Sequence, residues 1–326
     1  MGDNFQMKDN KIYYSIGALL YSPANNKRIV KSIISGKFGV HYSMALCLED
    51  TINDNFVEEA EAVMTESLIK IYEASKTDSF FIPKLFIRVR SSSQIKKLMK
   101  NLGEAQSLIT GFIIPKFIPE TADEYIDEIL DINEEYKRTI YMMPILESPA
   151  MIDLKTRYDI LYGIKEKLKR VEPLVLNIRV GGNDLCKMFG FRRHSDESIH
   201  DIKPVSSIFS DIVTVFGLDY VISGPVWEYF NGTNWDAGLE NELVGDQLCG
   251  FIGKTVIHPN QIEIVHNAYK VNKKDFEDAM SILNWSKNSA SLVSGSQARE
   301  RMNEYNTHCI WAKKVKILAD VYGINY

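Results

Sequence analysis

Eight short apolar runs, each followed by a segment with helical periodicity, constrain the fold of this chain more than any other feature. The runs are rich in β-branched residues, and the apolar residues between them recur at spacings of three and four, as in "NFVEEAEAVMTESLIKIYEASK". This alternation predicts repeated βα units and a parallel sheet. The predicted strands cover residues 16–23, 44–51, 84–91, 111–117, 140–148, 174–184, 219–225 and 254–259.

The number and character of these units predict an α/β fold, a (β/α)8 TIM barrel. The runs are continuously apolar, which suits strands covered on both faces, and eight units in roughly 250 residues match such a barrel in size. We expect the barrel to occupy residues 1–260. Residues 261–326 would form a helical extension that acts as a lid or oligomer arm. Its two helical segments are separated by "NSASLVSGSQ", whose small residues predict a flexible linker.

Composition excludes several function classes. The formal net charge of −5 and a pI near 5.8 argue against nucleic-acid binding, which needs an excess of clustered Lys and Arg. The amino-terminal stretch is polar and no apolar run is long enough to span a membrane, so we predict a cytoplasmic protein without a signal peptide. Cys47, Cys186, Cys249 and Cys309 lie far apart, which predicts free thiols rather than a disulfide framework or zinc site.

Charged residues cluster where the predicted strands end. In a (β/α)8 barrel the active site lies at the carboxyl ends of the strands, so these side chains are expected to meet at one mouth. His258 precedes a proline and could act as a base, although a hydrogen-bonded anchor for the loop is the favoured interpretation. The charged residues at the strand ends are Glu49, Asp50, Arg88, Arg90, Lys116, Glu147, Asp184 and His258.

Glu147 and Asp184 end the fifth and sixth predicted strands, so both carboxylates can point at one spot. Two carboxylates with no His or Cys at ligand spacing suit a hard cation such as Mg²⁺. The alternative is that each carboxylate caps the helix that follows it. The preceding Gly181-Gly182 lacks the spacing of a phosphate-binding loop, and we expect it to keep side chains away from the mouth.

Two cations have alternative roles. Arg88 could clamp a carboxylate or enolate oxygen in bidentate fashion, or form a salt bridge with Glu49 or Glu147 that only organises the mouth. Lys116 in "IPKF" could be a Schiff-base lysine. A charge partner for Glu49 or Asp50 is the favoured role, because the metal hypothesis explains more of the neighbouring residues.

An ordered set of motifs along nearly the whole chain resembles the HpcH/HpaI aldolase and citrate lyase beta-subunit superfamily. The set includes "ALCLEDT", "FIRVRS", "GFIIPKF", "PILESPAMI", "VGGNDL" and "GFIGKTVIHPNQIEIVHNAY", of which the last is the most specific. The pattern is most similar to the carbon–carbon bond lyase branch whose genes accompany tellurium-resistance clusters. The resemblance implies a Mg²⁺-dependent retro-aldol or retro-Claisen cleavage, or its reverse, with Mn²⁺ as the alternative ion. It implies metal ligands Glu147 and Asp184 and a catalytic set of Arg88, Glu49, Asp50, Lys116 and Glu304.

The resemblance also indicates the partners. The substrate would be a small hydroxy or oxo acid, or its acyl-CoA thioester. In relatives that use thioesters, an M-x-D motif delivers an acid from a lid, often of a neighbouring subunit, and Glu304 of "RMNEYN" stands at that place. A homo-oligomer, trimer or hexamer, is therefore expected. Departures at "SPANN", Asn183 and Glu304 leave an alternative, in which a diverged barrel serves as a non-catalytic binding subunit of a stress-related biosynthetic complex.

Overall fold

We describe residues 8–286 and 289–326 of a computed structural model of the chain. All eight predicted strands fall within these ranges. The first seven residues of the polar amino-terminal stretch lie outside them, as does Asn288 at the start of the predicted linker.

Eight parallel strands form one sheet that curls into a nearly closed barrel, as the apolar runs predict. The strand order is β7-β6-β5-β4-β3-β2-β1-β8. A bridge between Gly224 and Lys254 brings the β7 edge against β8. The strands are β1 (Ala18–Pro23), β2 (Tyr42–Cys47), β3 (Leu85–Arg88), β4 (Ile109–Ile114), β5 (Tyr141–Leu146), β6 (Ile178–Val180), β7 (Ile222–Ser223) and β8 (Lys254–Val256).

Helices follow the strands and cover the outside of the barrel. Their amphipathic pattern explains this packing: Ile95, Leu98, Met99 and Leu102 lie on one face of α3 and are all buried. None of the described helices is both long and apolar enough to cross a membrane. The helices are α1 (Ile29–Ile34), α2 (Val57–Ser75), α3 (Ser92–Leu102), α4 (Pro119–Tyr136), α5 (Leu154–Lys169), α6 (Gly182–Met188), α7 (Lys203–Phe216), α8 (Trp235–Cys249), α9 (Ile262–Ala268), α10 (Lys273–Leu283) and α11 (Tyr305–Tyr322).

A small apolar cluster fills the inside of the barrel and is distinct from the larger core between sheet and helices. Alternate residues of the strands supply it, because successive side chains of a strand point to opposite faces. Its members are Ile16, Leu19, Ala45, Phe86, Ile113, Met143, Ile145 and Leu176. All four cysteines are free, as their spacing predicts.

The carboxyl-terminal extension differs from its predicted form. The first helical segment divides into α9 and α10 around a short strand, β9 (Val271–Asn272), and the second begins with a strand before α11. The predicted linker is wrong in part, because β10 (Val293–Gly295) pairs with β11 (Met302–Glu304) in an antiparallel hairpin. The last strand, β12 (Ile324–Asn325), pairs with β9.

The extension is anchored at the amino-terminal end of the barrel. The hydroxyl of Tyr322, near the end of α11, donates to the carbonyl of Tyr14, which precedes β1, at 2.6 Å. Lys11 and Asp320 form an ion pair of 2.9 Å at the same place. Ile262 of α9 belongs to the barrel core, and the division of the chain at residue 260 stays a prediction.

Candidate active site

Five of the predicted charged residues meet at the carboxyl ends of β2, β3, β4 and β5. Arg88 ends β3, and its Nη2 lies 2.6 Å from Glu49 Oε2, 2.8 Å from Asp50 Oδ2 and 3.2 Å from Glu147 Oε1. Three carboxylates therefore share one nitrogen of the guanidinium. Burial acts against the charged form, but the carboxylates of Glu147 and Glu49 raise the pKa of Arg88 above its ordinary value.

Lys116 is held at the same mouth by its side chain and by its backbone. Its Nζ lies 2.5 Å from Glu49 Oε1 and 3.5 Å from Asp50 Oδ1. The hydrogen bond with Glu49 raises the pKa of Lys116, which keeps the amine protonated. Since a protonated amine is not a nucleophile, this geometry favours the charge-partner interpretation over the Schiff base. The φ of Lys116 is +50°, a left-handed conformation, and its amide donates to Glu147 Oε1 at 3.1 Å.

Glu147, directly after β5, presents its two carboxylate oxygens differently. Oε1 accepts from Arg88 and from the Lys116 amide, whereas no donor of the described residues reaches Oε2. The side chain is 2% exposed. The pKa of Glu147 is raised to about 7: burial is the largest cause, Arg88 lowers the pKa and the negative charge of Asp184 raises it. One oxygen is thus fixed by the protein and the other is left for a ligand.

Asp184 lies near Glu147, but the prediction that it ends a strand is wrong. The sixth strand stops at Val180, and Asp184 belongs to the first turn of α6, which Gly181 precedes. No hydrogen bond or ion pair of the described residues reaches the Asp184 carboxylate. Asp184 and Glu147 line the same cavity, and the negative charge of Asp184 raises the pKa of Glu147.

The glycine pair before Asp184 is required for close packing. A Cβ on Gly181 would lie 2.3 Å from both Cβ and Oε2 of Glu147, so any side chain there would push the carboxylate aside. A Cβ on Gly182 would lie 2.6 Å from Ile199 Cδ1 and 2.7 Å from Pro225 Cβ. Gly181 therefore makes room for Glu147, whereas Gly182 lets α6 approach its neighbours.

These carboxylates border a cavity of about 260 Å³ inside the mouth. Arg179 of β6, Tyr21 and Thr255 also line it, and sequence reasoning missed all three. A cation inside an otherwise apolar run was the one signal that could have revealed Arg179. The lining residues are Tyr21, Asp50, Thr51, Arg88, Ile145, Glu147, Arg179, Val180, Gly181, Gly182, Asn183, Asp184, Val226, Thr255 and Ile257.

Three other predicted positions lie beside the cavity or away from it. Arg90 donates to the carbonyls of Leu48 and Glu49 and so holds the loop that carries Glu49 and Asp50. His258 anchors its loop as expected, since Nδ1 accepts from the Asn260 amide. Glu304 does not line the cavity of its own chain. It lies at the end of β11, where its amide donates to a histidine one turn into α11.

A second charged cluster lies between β8 and α8 and supports the barrel wall. Lys254 Nζ lies 2.9 Å from Glu242 Oε1 and 2.7 Å from Asp246 Oδ2, and all three side chains are fully buried. Arg193 Nε lies 3.0 Å from Glu242 Oε2, and His200 Nε2 lies 2.8 Å from Asp246 Oδ1. Each buried carboxylate is thus matched by two cations or donors, as buried charges must be.

The parallel barrel and a charged mouth at the carboxyl ends of its strands place the chain in the class of TIM-barrel enzymes. Residues 10–324 match the family described as C-C_Bond_Lyase of the TIM-Barrel fold. The chain therefore belongs to this family of carbon–carbon bond lyases, as its ordered motifs predict. No curated protein sequence matches the chain.

Solved structures of citrate lyase proteins share the fold. CitE from Mycobacterium tuberculosis, in complex with magnesium, acetoacetate and coenzyme A, is 17% identical with a TM-score of 0.61, covering 94% of this chain and 99% of that one. A citrate lyase from Burkholderia xenovorans LB400 is 15% identical with a TM-score of 0.68, and the match covers 95% of this chain and 93% of that one. The citrate lyase beta subunit from M. tuberculosis with oxaloacetate and magnesium is 16% identical with a TM-score of 0.52, and the match covers 80% of this chain and 99% of that one.

Proposed function

We propose that this protein is a Mg²⁺-dependent lyase that cleaves, or forms, a carbon–carbon bond in a small hydroxy or oxo acid. One observation carries the proposal: Glu147 and Asp184 line the same cavity, and no donor of the described residues reaches Glu147 Oε2 or the Asp184 carboxylate. The Glu147 side chain is buried, and a buried carboxylate is costly unless cations or donors satisfy its oxygens.

The donor set fits Mg²⁺. The described residues contain no group of three or more His, Cys, Asp or Glu that could hold a metal. Two carboxylates are nevertheless enough for Mg²⁺, which keeps several waters and takes substrate oxygens as its remaining ligands. Glu147 and Asp184 would hold the ion, and Mn²⁺ is the alternative. The metal would act as a Lewis acid towards a substrate oxygen.

The residues of this chain supply the rest of the chemistry. Cleavage next to a carbonyl group leaves negative charge on the departing enolate. Arg88 is fixed through Nη2 to three carboxylates, and its Nη1 has no partner among the described residues, so Nη1 would donate to the enolate oxygen. Glu49 and Asp50 would hold the guanidinium in place, and Lys116 would hold these two carboxylates.

The neighbours in the same fold support the substrate class. The M. tuberculosis proteins are complexed with magnesium and with oxaloacetate, acetoacetate or pyruvate, which are small oxo acids. A free acid and its CoA thioester are both retained as substrates. Glu304 lies outside the cavity of its own chain, so we propose that it reaches the mouth of a neighbouring subunit in a homo-oligomer.

Calorimetric titration with Mg²⁺ tests the metal site. We expect binding by the native chain and its loss in Glu147→Gln and in Asp184→Asn, because each change removes one anionic ligand while preserving shape. Glu166→Gln is the matched control, since this glutamate is 66% exposed on α5, and it should bind as the native chain does. Native affinity in both Glu147→Gln and Asp184→Asn would refute the metal site.

A further inference from the structure

Arg179 is a buried cation without a counter-charge. The residue is 2% exposed, points into the barrel from β6 and lines the cavity beside Glu147. Its Nη2 donates to Thr255 Oγ1 at 2.6 Å and its Nη1 to Asn177 Oδ1 at 3.4 Å, and the Tyr21 hydroxyl interacts with the guanidinium. All three partners are neutral, and no carboxylate of the described residues lies within 4.0 Å.

The other buried cations of the described chain are each paired with a carboxylate, whereas Arg179 is not. Each of the four others has at least one carboxylate within 3.2 Å, as expected for charges withdrawn from water. These residues are Arg88, Arg157, Arg193 and Lys254.

The surroundings of Arg179 leave its charge uncompensated. Burial lowers the pKa of Arg179 below its ordinary value, and the positive charge of Arg88 acts in the same direction. Tyr21 does not supply a negative charge, because burial raises the pKa of its hydroxyl. A guanidinium nonetheless stays protonated in proteins. Its neutral partners therefore orient it towards the cavity, where an anion would compensate its charge.

We propose that Arg179 binds a carboxylate of the substrate, so that the substrate is a dicarboxylic oxo or hydroxy acid. This inference rests on the proposed function, in which Glu147, Asp184 and Arg88 receive the reacting oxo-acid end. The planar guanidinium matches a carboxylate in bidentate geometry, which an unionised group of the same size does not provide. Arg179 thereby selects diacids over monoacids of equal length.

Binding of matched acids tests this inference. Dissociation constants are measured calorimetrically with Mg²⁺ for oxaloacetate against 2-oxobutanoate, and for 2-oxoglutarate against 2-oxopentanoate; in each pair a carboxylate replaces a methyl group. We expect the native chain to prefer the diacid by about 10- to 100-fold in at least one pair, the range for a hydrogen bond to a charged group. Arg179→Met should abolish this preference.

Two further variants separate the outcomes. Arg179→Lys keeps the charge and should retain part of the preference, and Arg170→Met, the same change at an exposed site directly after α5, should retain all of it. Equal affinities within both pairs in the native chain, or an undiminished preference in Arg179→Met, would overturn the inference. If the native chain does not bind Mg²⁺, the proposed function is wrong. Failure of the proposed function and failure of the Arg179 inference are therefore distinguishable.

Discussion

Replacing Gly181 by alanine tests whether Glu147 is placed for a metal rather than merely buried. The new Cβ would lie 2.3 Å from Glu147 Cβ and Oε2, whereas carbon atoms prefer separations of about 3.5–4.0 Å. Glu147 must therefore move by about 1 Å or more. Gly181 has a φ of −89°, which alanine adopts without strain, so the effect is purely steric.

This displacement has two expected consequences. Crowding in a packed site costs about 1–3 kcal/mol of unfolding free energy. A near-ideal octahedral Mg²⁺ site does not tolerate a ligand shift of this size, and we expect affinity to fall about 10- to 100-fold, as when a group that orients a ligand is lost. Calorimetry measures the affinity and urea unfolding the stability.

The matched control is Gly295→Ala on β10, where a Cβ meets no atom within 4 Å. This variant should change stability by no more than about 0.5 kcal/mol and leave Mg²⁺ affinity unchanged. If Gly181→Ala remains folded and binds Mg²⁺ as tightly as the native chain, then Glu147 is not a ligand and the reasoning is wrong.

Two further predictions concern stability. Lys254→Met leaves Glu242 and Asp246 short of a buried cation and should lower the free energy of unfolding in urea by about 3–5 kcal/mol. Lys273→Met, on the exposed start of α10, should lower it by less than about 1 kcal/mol. Equal losses in the two variants would contradict the buried network. His266 stacks on His41 at 3.7 Å, and burial lowers the pKa of His266 to about 4, against about 6.5 in an unfolded chain. Between these pH values the unfolded state binds more protons, so the free energy of unfolding should fall as pH drops from about 6.5 to 4. His266→Phe should reduce this dependence on pH. If the slope of unfolding free energy against pH is unchanged in the variant, His266 is not its source.

The barrel and most of its mouth could be predicted because both depend on local pattern. Continuous apolar runs mark strands buried on both faces, and their charged ends meet wherever parallel strands close a barrel. Glu49, Asp50, Arg88, Lys116 and Glu147 converge for this reason. The left-handed turn at Lys116 could not be predicted, because lysine has no preference for it.

What could not be predicted depends on contacts between distant residues. The prediction that Asp184 ends a strand is wrong because β6 stops at Val180 and α6 begins at Gly182, whose lack of a side chain lets it pack against Ile199 and Pro225. The strand β10 pairs with β11 across a turn, a partnership that its small residues do not reveal. Arg179 looked like part of an apolar run, because only the closed barrel shows that its partners are neutral.

The barrel closes between β7 and β8, and we expect its wall to open locally more readily at this seam than between other strands. Here a single bridge, between Gly224 and Lys254, joins the edges together with a few backbone hydrogen bonds, among them Gly224 N–H to the Gly253 carbonyl at 2.9 Å, and β7 has only two residues. Lys254 and its two carboxylates behind the wall add side-chain contacts beside this seam. Thr255, which holds Arg179, lies on the same strand. Amide hydrogen exchange should therefore begin along this seam, so the cavity can widen on its Arg179 side while the wall that carries Glu147 stays rigid.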